Sequence, residues 1–165
     1  MNNRMDFTQV LEQSDDLAVG KAVLGALNKL FECDRQLLEL DAKEEAIAFH
    51  FARYLQPHFP DRSVDFEYGR MGDAPKTVTH DEKPQRVYPD VIVHIRNNQA
   101  VGIPNNAANL LAVELKKDTN PEAKGRDIGK LRAYRRELEY RHALFLRFGT
   151  GQFAGTITEC EWVHA

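Results

Sequence analysis

The hydrophobic pattern changes period along the chain. Leu17, Val23, Leu24, Leu27, Leu30 and Phe31 recur at helical spacing, which predicts an amphipathic helix in the N-terminal part. Asp41 reads as the N-cap of a second helix, with Glu44 three residues on as in a capping box. That helix should run to Leu55 and stop before Pro57 and Pro60, since a proline pushes its predecessor out of helical geometry. Val64 to Tyr68 reads as a first strand, and residues 71–86, with Gly72, Pro75, His80 and Pro84, as a long exposed loop. Two apolar runs follow: Val87-Tyr88-Pro89-Asp90-Val91-Ile92-Val93-His94-Ile95 and Asn109-Leu110-Leu111-Ala112-Val113-Glu114-Leu115-Lys116-Lys117. Short, rich in Val, Ile and Leu, and bounded by Asn, Gly and Pro, they predict buried strands. A helix from Arg126 to Glu139, a strand from His142 to Phe148 and a fifth segment from Phe153 to Val163 complete the chain. Gly149-Thr150-Gly151 is a turn, because no Lys-Ser or Lys-Thr follows to make a phosphate loop. Helix, three strands, helix, strand is an α/β order.

Charge enters where the two apolar runs carry it. Asp90 opens the first run, and Glu114 and Lys116 close the second. Ionised groups at the ends of buried strands are costly unless compensated. Glu114 and Lys116 are two residues apart, so both project from one face of a strand. If the runs pair as an antiparallel hairpin centred near Ile103, Asp90 falls opposite Lys116 and one step from Glu114. Opposed Cβ atoms in such a pair lie about 4.5–5.5 Å apart and diagonal ones about 7–8 Å, so the two carboxylates could share one hard cation, with oxygen ligands at about 2.0–2.6 Å. Two carboxylates, a divalent ion and a lysine point to phosphodiester hydrolysis. Asp90 and Glu114 would hold the ion, with the Leu115 carbonyl as an additional ligand. Lys116 would place the water or steady the developing charge. The plain alternative is a solvated Asp90 and a surface Glu114–Lys116 pair.

Further candidates have structural and functional readings side by side. Residues 44, 47, 48, 51 and 55 share a helix face, so Glu44 is either a capping group or a carboxylate at the rim of the core, and Glu45 should face solvent. Asp127, Lys130 and Tyr134 share a face of the later helix and either border a cleft or include a surface ion pair. Glu67 could assist the site or pair with an arginine. Arg70 could hold a phosphate or solvate a strand end. Tyr88 is a core or edge residue, or a platform for a base.

Pro89-Asp90 followed by Glu114-Leu115-Lys116 resembles the PD-(D/E)xK nuclease superfamily, over residues 40–148. The string Glu44-Glu45-Ala46-Ile47 through Tyr54-Leu55, then Asp65-Phe66-Glu67-Tyr68, then Tyr88-Pro89-Asp90-Val91-Ile92-Val93-His94 is similar to a group of small prokaryotic members. The resemblance implies a restriction-endonuclease-like αβββαβ core, a central mixed sheet flanked by helices, here with an extra N-terminal helix. The whole chain, 1–165, would be one such domain: helical extension 1–40, core 41–148 and C-terminal strand segment 149–165. It implies Mg²⁺, with Mn²⁺ as substitute, and catalytic residues Glu44, Asp90, Glu114 and Lys116. Alignment through Tyr54-Leu55 favours Glu44 over Glu45. Nucleic acid is the implied partner, DNA ahead of RNA, with Arg70, Lys117 and Lys130 as weaker contacts, and a homodimer would suit two-strand cleavage. The same fold also serves inactive relatives, so a non-catalytic binding module is the alternative.

Composition narrows the setting. A chain of 165 residues can bury one core. No run is long enough for a membrane span, and the opening residues lack a signal-peptide pattern, so a cytoplasmic protein is expected. Cys33 and Cys160 stand far apart, which fits reduced thiols. None of the 6 histidines has helical metal-ligand spacing, which disfavours zinc. The formal net charge is −3, yet residues 1–46 hold 10 acidic and 5 basic side chains, leaving 17 basic against 15 acidic of the 22 and 25 in the chain. Lys116 to Arg141 is locally basic and is either a phosphate path or a solvated helix face with pairs such as Arg135–Glu139. This balance argues against tight duplex binding.

Overall fold

The two apolar runs pair with each other, and the rest of the chain is arranged around that pair. The computed structural model describes residues 6–165, and the leader reading of the first five residues lies outside them. The helices are α1 (Phe7–Glu12), α2 (Leu17–Cys33), α3 (Arg35–Glu39), α4 (Glu44–Leu55), α5 (Asn105–Ala108) and α6 (Gly125–Glu137). The strands are β1 (Ser63–Phe66), β2 (Arg70–Met71), β3 (Ala74–Pro75), β4 (Thr77–His80), β5 (Lys83–Arg86), β6 (Val91–His94), β7 (Leu111–Lys117), β8 (His142–Phe148) and β9 (Ile157–Trp162). Five of them form a mixed sheet in the order β1-β6-β7-β8-β9. β7 and β8 are parallel, as α6 carries the chain back across the sheet, and every other neighbouring pair is antiparallel.

All four residues of β6 are buried, and so are six of the seven in β7. Strands covered on both faces lose the polar alternation of a half-exposed sheet, which is why these runs read as continuous apolar stretches. Val91, Val93, Val113, Leu115, Leu144 and Leu146 pack under α2 and α4. Ile92, Ala112, Ala143 and Phe145 pack under α6 with Leu131 and Tyr134. Even-numbered positions of β7 therefore face α6, and odd-numbered ones face α4. The helices thus close two apolar layers over one sheet, an α/β fold with flanking helices. Among the described residues no helix is long and apolar enough to cross a membrane. Cys33 and Cys160 are not bonded to each other.

Three expectations are corrected. The helix expected at Asp41 begins at Glu44 with Lys43 as N-cap and no side-chain cap. Asp41 instead has a positive φ of 52° and pairs with Lys117 and Thr119, so no capping box forms. Residues 71–86 are not a loop but end one hairpin, β2–β3, and form another, β4–β5. The second is pinned to α6 by Val78, which is 2% exposed, and by the Thr79 N–H on Glu137 Oε2 at 2.7 Å. One buried valine is worth about 1.5–3 kcal/mol. The pair Arg135–Glu139 does not form: Glu139 has left the helix with a φ of 57°, and Arg135 donates to the Val163 carbonyl.

Candidate active site

The β6–β7 ladder pairs Val91 with Val113 and Ile92 with Ala112. Continued one step, it sets Asp90 directly across from Glu114. Sequence symmetry placed Asp90 opposite Lys116, two residues further along. The difference comes from the connection, which holds a 3-10 turn at Asn98–Val101 and the short α5 rather than a symmetric loop. A shift of two preserves the face, so the carboxylates still meet. Asp90 Oδ2 accepts the Leu115 N–H at 2.8 Å, which ties the start of β6 to β7.

Glu114 is 3% exposed. Its Oε1 accepts the Tyr134 hydroxyl at 2.9 Å and its Oε2 the Lys130 ammonium at 3.1 Å. Burial, opposed in part by Lys130, raises the Glu114 carboxyl above its usual range. Burial and then the neighbouring Glu114 charge raise Asp90 well above its own. Two like charges in a dry site favour proton or cation uptake. Burial also raises the Tyr134 hydroxyl, so it donates to Glu114 as a neutral phenol.

From Glu114 a line of alternating charge runs to the surface. Lys130 touches Glu114 and lies 3.3 Å from Asp127 Oδ1. Asp127 Oδ2 lies 3.1 Å from Lys116 Nζ, outside hydrogen-bonding direction, so charge alone links them. Lys116 then meets Glu122 at 3.0 Å. Burial alone would lower both lysines. For Lys130 the Glu114 charge, and for Lys116 the hydrogen bond to Glu122 together with the Asp127 charge, overcome it, and both ammoniums are held above their ordinary value.

Asp90, Glu114 and Lys116 are brought together on the α6 side of the sheet. Glu44 is not among them. It accepts the Lys117 N–H at 3.3 Å and the Asn120 amide at 2.7 Å, lining a separate polar cleft with Asp41 and Lys117. Glu45 is exposed, the orientation expected. The proposed phosphate contacts do not share one surface. Arg70 is exposed and donates to the Asp73 carbonyl, Lys117 faces α4 and is 2.8 Å from Asp41, and Lys130 lies inside the charged line. Glu67 is exposed, and its N–H reaches the Asp90 carbonyl at 3.2 Å. Tyr88 is 53% exposed beside Asp90, with its ring against Gly69. The residues the sequence underweighted are Asp127 and Glu122. Asp127 is 4% exposed rather than half of a surface pair, and its i, i+3, i+7 spacing with Lys130 and Tyr134 was the available signal. Nothing in the sequence marks Glu122.

The donor set bears on what ion could bind. A carboxylate offers roughly four lone-pair positions. The dyad accepts three hydrogen bonds in all, one on Asp90 and two on Glu114, so acceptor capacity remains. Among the described residues no three His, Cys, Asp or Glu side chains converge as a metal cage. Two hard oxygen donors without a cage fit Mg²⁺ or Mn²⁺, since Mg²⁺ keeps several waters and uses one or two carboxylates. The site is thus a carboxylate dyad, one member buried and the other half-buried, with two lysines on an α/β sheet. No protein-family model, curated protein or solved structure matches the chain.

Proposed function

We propose that the protein is a metal-dependent nuclease that hydrolyses phosphodiester bonds of DNA or RNA, built on a restriction-endonuclease-like core. The observation that carries this reading is the Asp90–Glu114 dyad, with Lys116 two residues along the same strand face. Support for the core comes from the element order α4, β1, β6, β7, α6, β8, which matches the αβββαβ order once the two small hairpins and the short turns between β6 and β7, α5 included, are set aside.

Asp90 and Glu114 would hold the ion. A bound Mg²⁺ would polarise the scissile phosphate and lower the pKa of a coordinated water. Tyr134 and Lys130 fix the Glu114 carboxylate from α6, so that its oxygens do not rotate away from the dyad. Lys116 offers its ammonium to a phosphate oxygen or to the attacking water, and in a site this dry a fixed positive charge acts more strongly than in bulk water. Tyr88 presents an exposed ring on which a base could stack.

One observation favours the non-catalytic module instead. Both site lysines already have carboxylate partners within the chain, which is a self-sufficient structural network. Titration calorimetry with Mn²⁺ and Mg²⁺ separates the two. Saturable uptake by the wild type, lost in Asp90→Ala/Glu114→Ala and kept in Lys116→Gln, is expected. A folded wild type that takes up no ion at millimolar Mn²⁺ sinks the nuclease reading.

A further inference from the structure

The ammonium of Lys116 has two carboxylate partners of opposite setting. Asp127 reaches it from the interior at 3.1 Å, and Glu122, whose side chain is 65% exposed, reaches it from solvent at 3.0 Å. Asp127, shared with Lys130, already sets a carboxylate against Lys116 from within, so Glu122 is its second, solvent-side partner. The loop that delivers Glu122 is nonetheless firmly placed. The Glu122 N–H donates to Asn120 Oδ1 at 3.0 Å, and the Asn120 amide donates to Glu44 Oε1 at 2.7 Å. Thr119 is fastened to Asp41 at 2.9 Å. Glu44 therefore connects to the site at second hand, by holding the segment that carries Glu122.

The charge count sharpens the point. Asp90, Glu114 and Asp127 face Lys116 and Lys130, so the interior already carries as many carboxylates as ammoniums, and one more. Glu122 adds a further negative group at the solvent side of the lysine that an anionic substrate would approach. Carboxylate and phosphate oxygens make the same charge-assisted hydrogen bond to an ammonium.

We infer that the Glu122 carboxylate is an internal competitor that occupies the Lys116 position taken by a substrate phosphate oxygen, held there by the Glu44–Asn120 contact. The inference rests on the nuclease reading of the site. An entering phosphodiester displaces Glu122 from Lys116, while Asp127 keeps the ammonium in place. Glu44 and Asn120 are then positioning residues for the latch rather than catalytic groups.

The test is fluorescence anisotropy with a labelled single-stranded oligonucleotide and its duplex, carrying phosphorothioate linkages to resist cleavage, at fixed ionic strength with Ca²⁺, another hard oxygen-seeking cation, in place of Mg²⁺, the strands verified intact by electrophoresis. Glu122→Gln should tighten binding about three- to tenfold. Glu45→Gln removes an equal charge on the exposed start of α4, and should leave binding as it was. In a Lys116→Gln background the Glu122→Gln gain should vanish. Equal binding by wild type and Glu122→Gln, or a gain that persists without Lys116, overturns the latch. Mn²⁺ calorimetry on Glu122→Gln distinguishes the levels of failure. Uptake matching the wild type with no gain in strand binding overturns the latch alone. Absence of both ion uptake and strand binding in the wild type overturns the nuclease reading and the latch together.

Discussion

At the residue scale the dyad is a source of stress in the fold, and this gives it a pH signature. Asp90 and Glu114 are held above their ordinary values of 3.8 and 4.5, by burial first and then, for Asp90, by the Glu114 charge. A group whose pKa is raised on folding lends stability below its unfolded pKa, and that stability is lost as pH rises through the folded value. The metal-free protein should therefore lose stability as pH climbs from the ordinary carboxylate range through the elevated pair. Asp90→Asn keeps an acceptor for the Leu115 N–H and removes one of the two like charges. It should flatten this profile and, at pH 8 in chelator, raise Tm by ~2–6 °C, the equivalent of about 1–2 kcal/mol for a chain of this size. Calorimetric melts of both proteins across pH would reveal it, and a lower Tm for the variant at pH 8 would contradict it. Both carboxylates and Lys116 were legible in the sequence because the apolar runs around them are so regular. Their depth was not, because depth depends on how α6 lies over β7. The same limit hid Asp127, which sits at helical spacing indistinguishable from that of a surface pair. Glu44 lies apart from the dyad for a related reason: it sits on the apolar face of α4 as expected, but α4 covers the other side of the sheet.

At the element scale, the sequence foretold α2, α4, α6, β6, β7 and β8 closely, since each carries a long periodic or apolar pattern. The missed elements are short and weakly patterned. β5 reads Lys83-Pro84-Gln85-Arg86, with no apolar residue at all, and its strand state comes from its pairing with β4. The β2–β5 region is anchored from within by Lys76, which is 1% exposed, bonded to the Tyr140 hydroxyl at 2.8 Å and set over the rings of Tyr68 and Tyr140. Burial lowers its pKa to about 8. A base with a lowered folded pKa destabilises the native state below that value, and the penalty fades as pH rises towards its unfolded value of 10.5. Lys76→Met should stabilise the protein by about 1–3 kcal/mol at pH 7. The advantage over wild type should shrink between pH 8 and 10.5. An advantage independent of pH in denaturant melts would mean that the gain is packing rather than charge. The N-terminal helices offer a second check. A Cβ on Gly20 of α2 would overlap the Leu11 carbonyl at the end of α1, and α1 in turn receives the indole N–H of Trp162 on the Val10 carbonyl at 3.0 Å. Gly20→Ala should displace α1 and cost about 1–3 kcal/mol. Because Trp162 is the 1 tryptophan of the chain, a red shift of intrinsic fluorescence would report the displacement directly. An unshifted spectrum with an unchanged melt would mean that α1 accommodates the methyl group.

At the scale of the whole molecule, the basic stretch that looked like a phosphate path is in part neutralised by the chain's own acids. Lys117 pairs with Asp41, Lys124 with Glu159 and Glu161, and Arg136 with Glu137, besides the site lysines. The partners of Lys117 and Lys124 lie far off in sequence, so no local reading of charge could have found them. The dyad, where two like charges meet, is the feature most able to couple a cation to global stability. An ion that binds the native state and not the unfolded chain stabilises it by mass action, about 2.7 kcal/mol at one hundred times Kd, or ~5–10 °C for a protein of this size. Mn²⁺ should therefore raise the Tm of the wild type in a concentration-dependent way, and the rise should grow with pH, because protons and the ion compete for the same two carboxylates. Asp90→Ala/Glu114→Ala should melt at one temperature whatever the Mn²⁺ concentration, whereas Lys116→Gln should keep the shift. If Mn²⁺ moves the double variant as much as the wild type, the ion is binding elsewhere and the dyad is structural. If it moves neither, the charged line from Glu114 to Glu122 is a self-contained network, and a protein or nucleic-acid partner becomes the thing to seek.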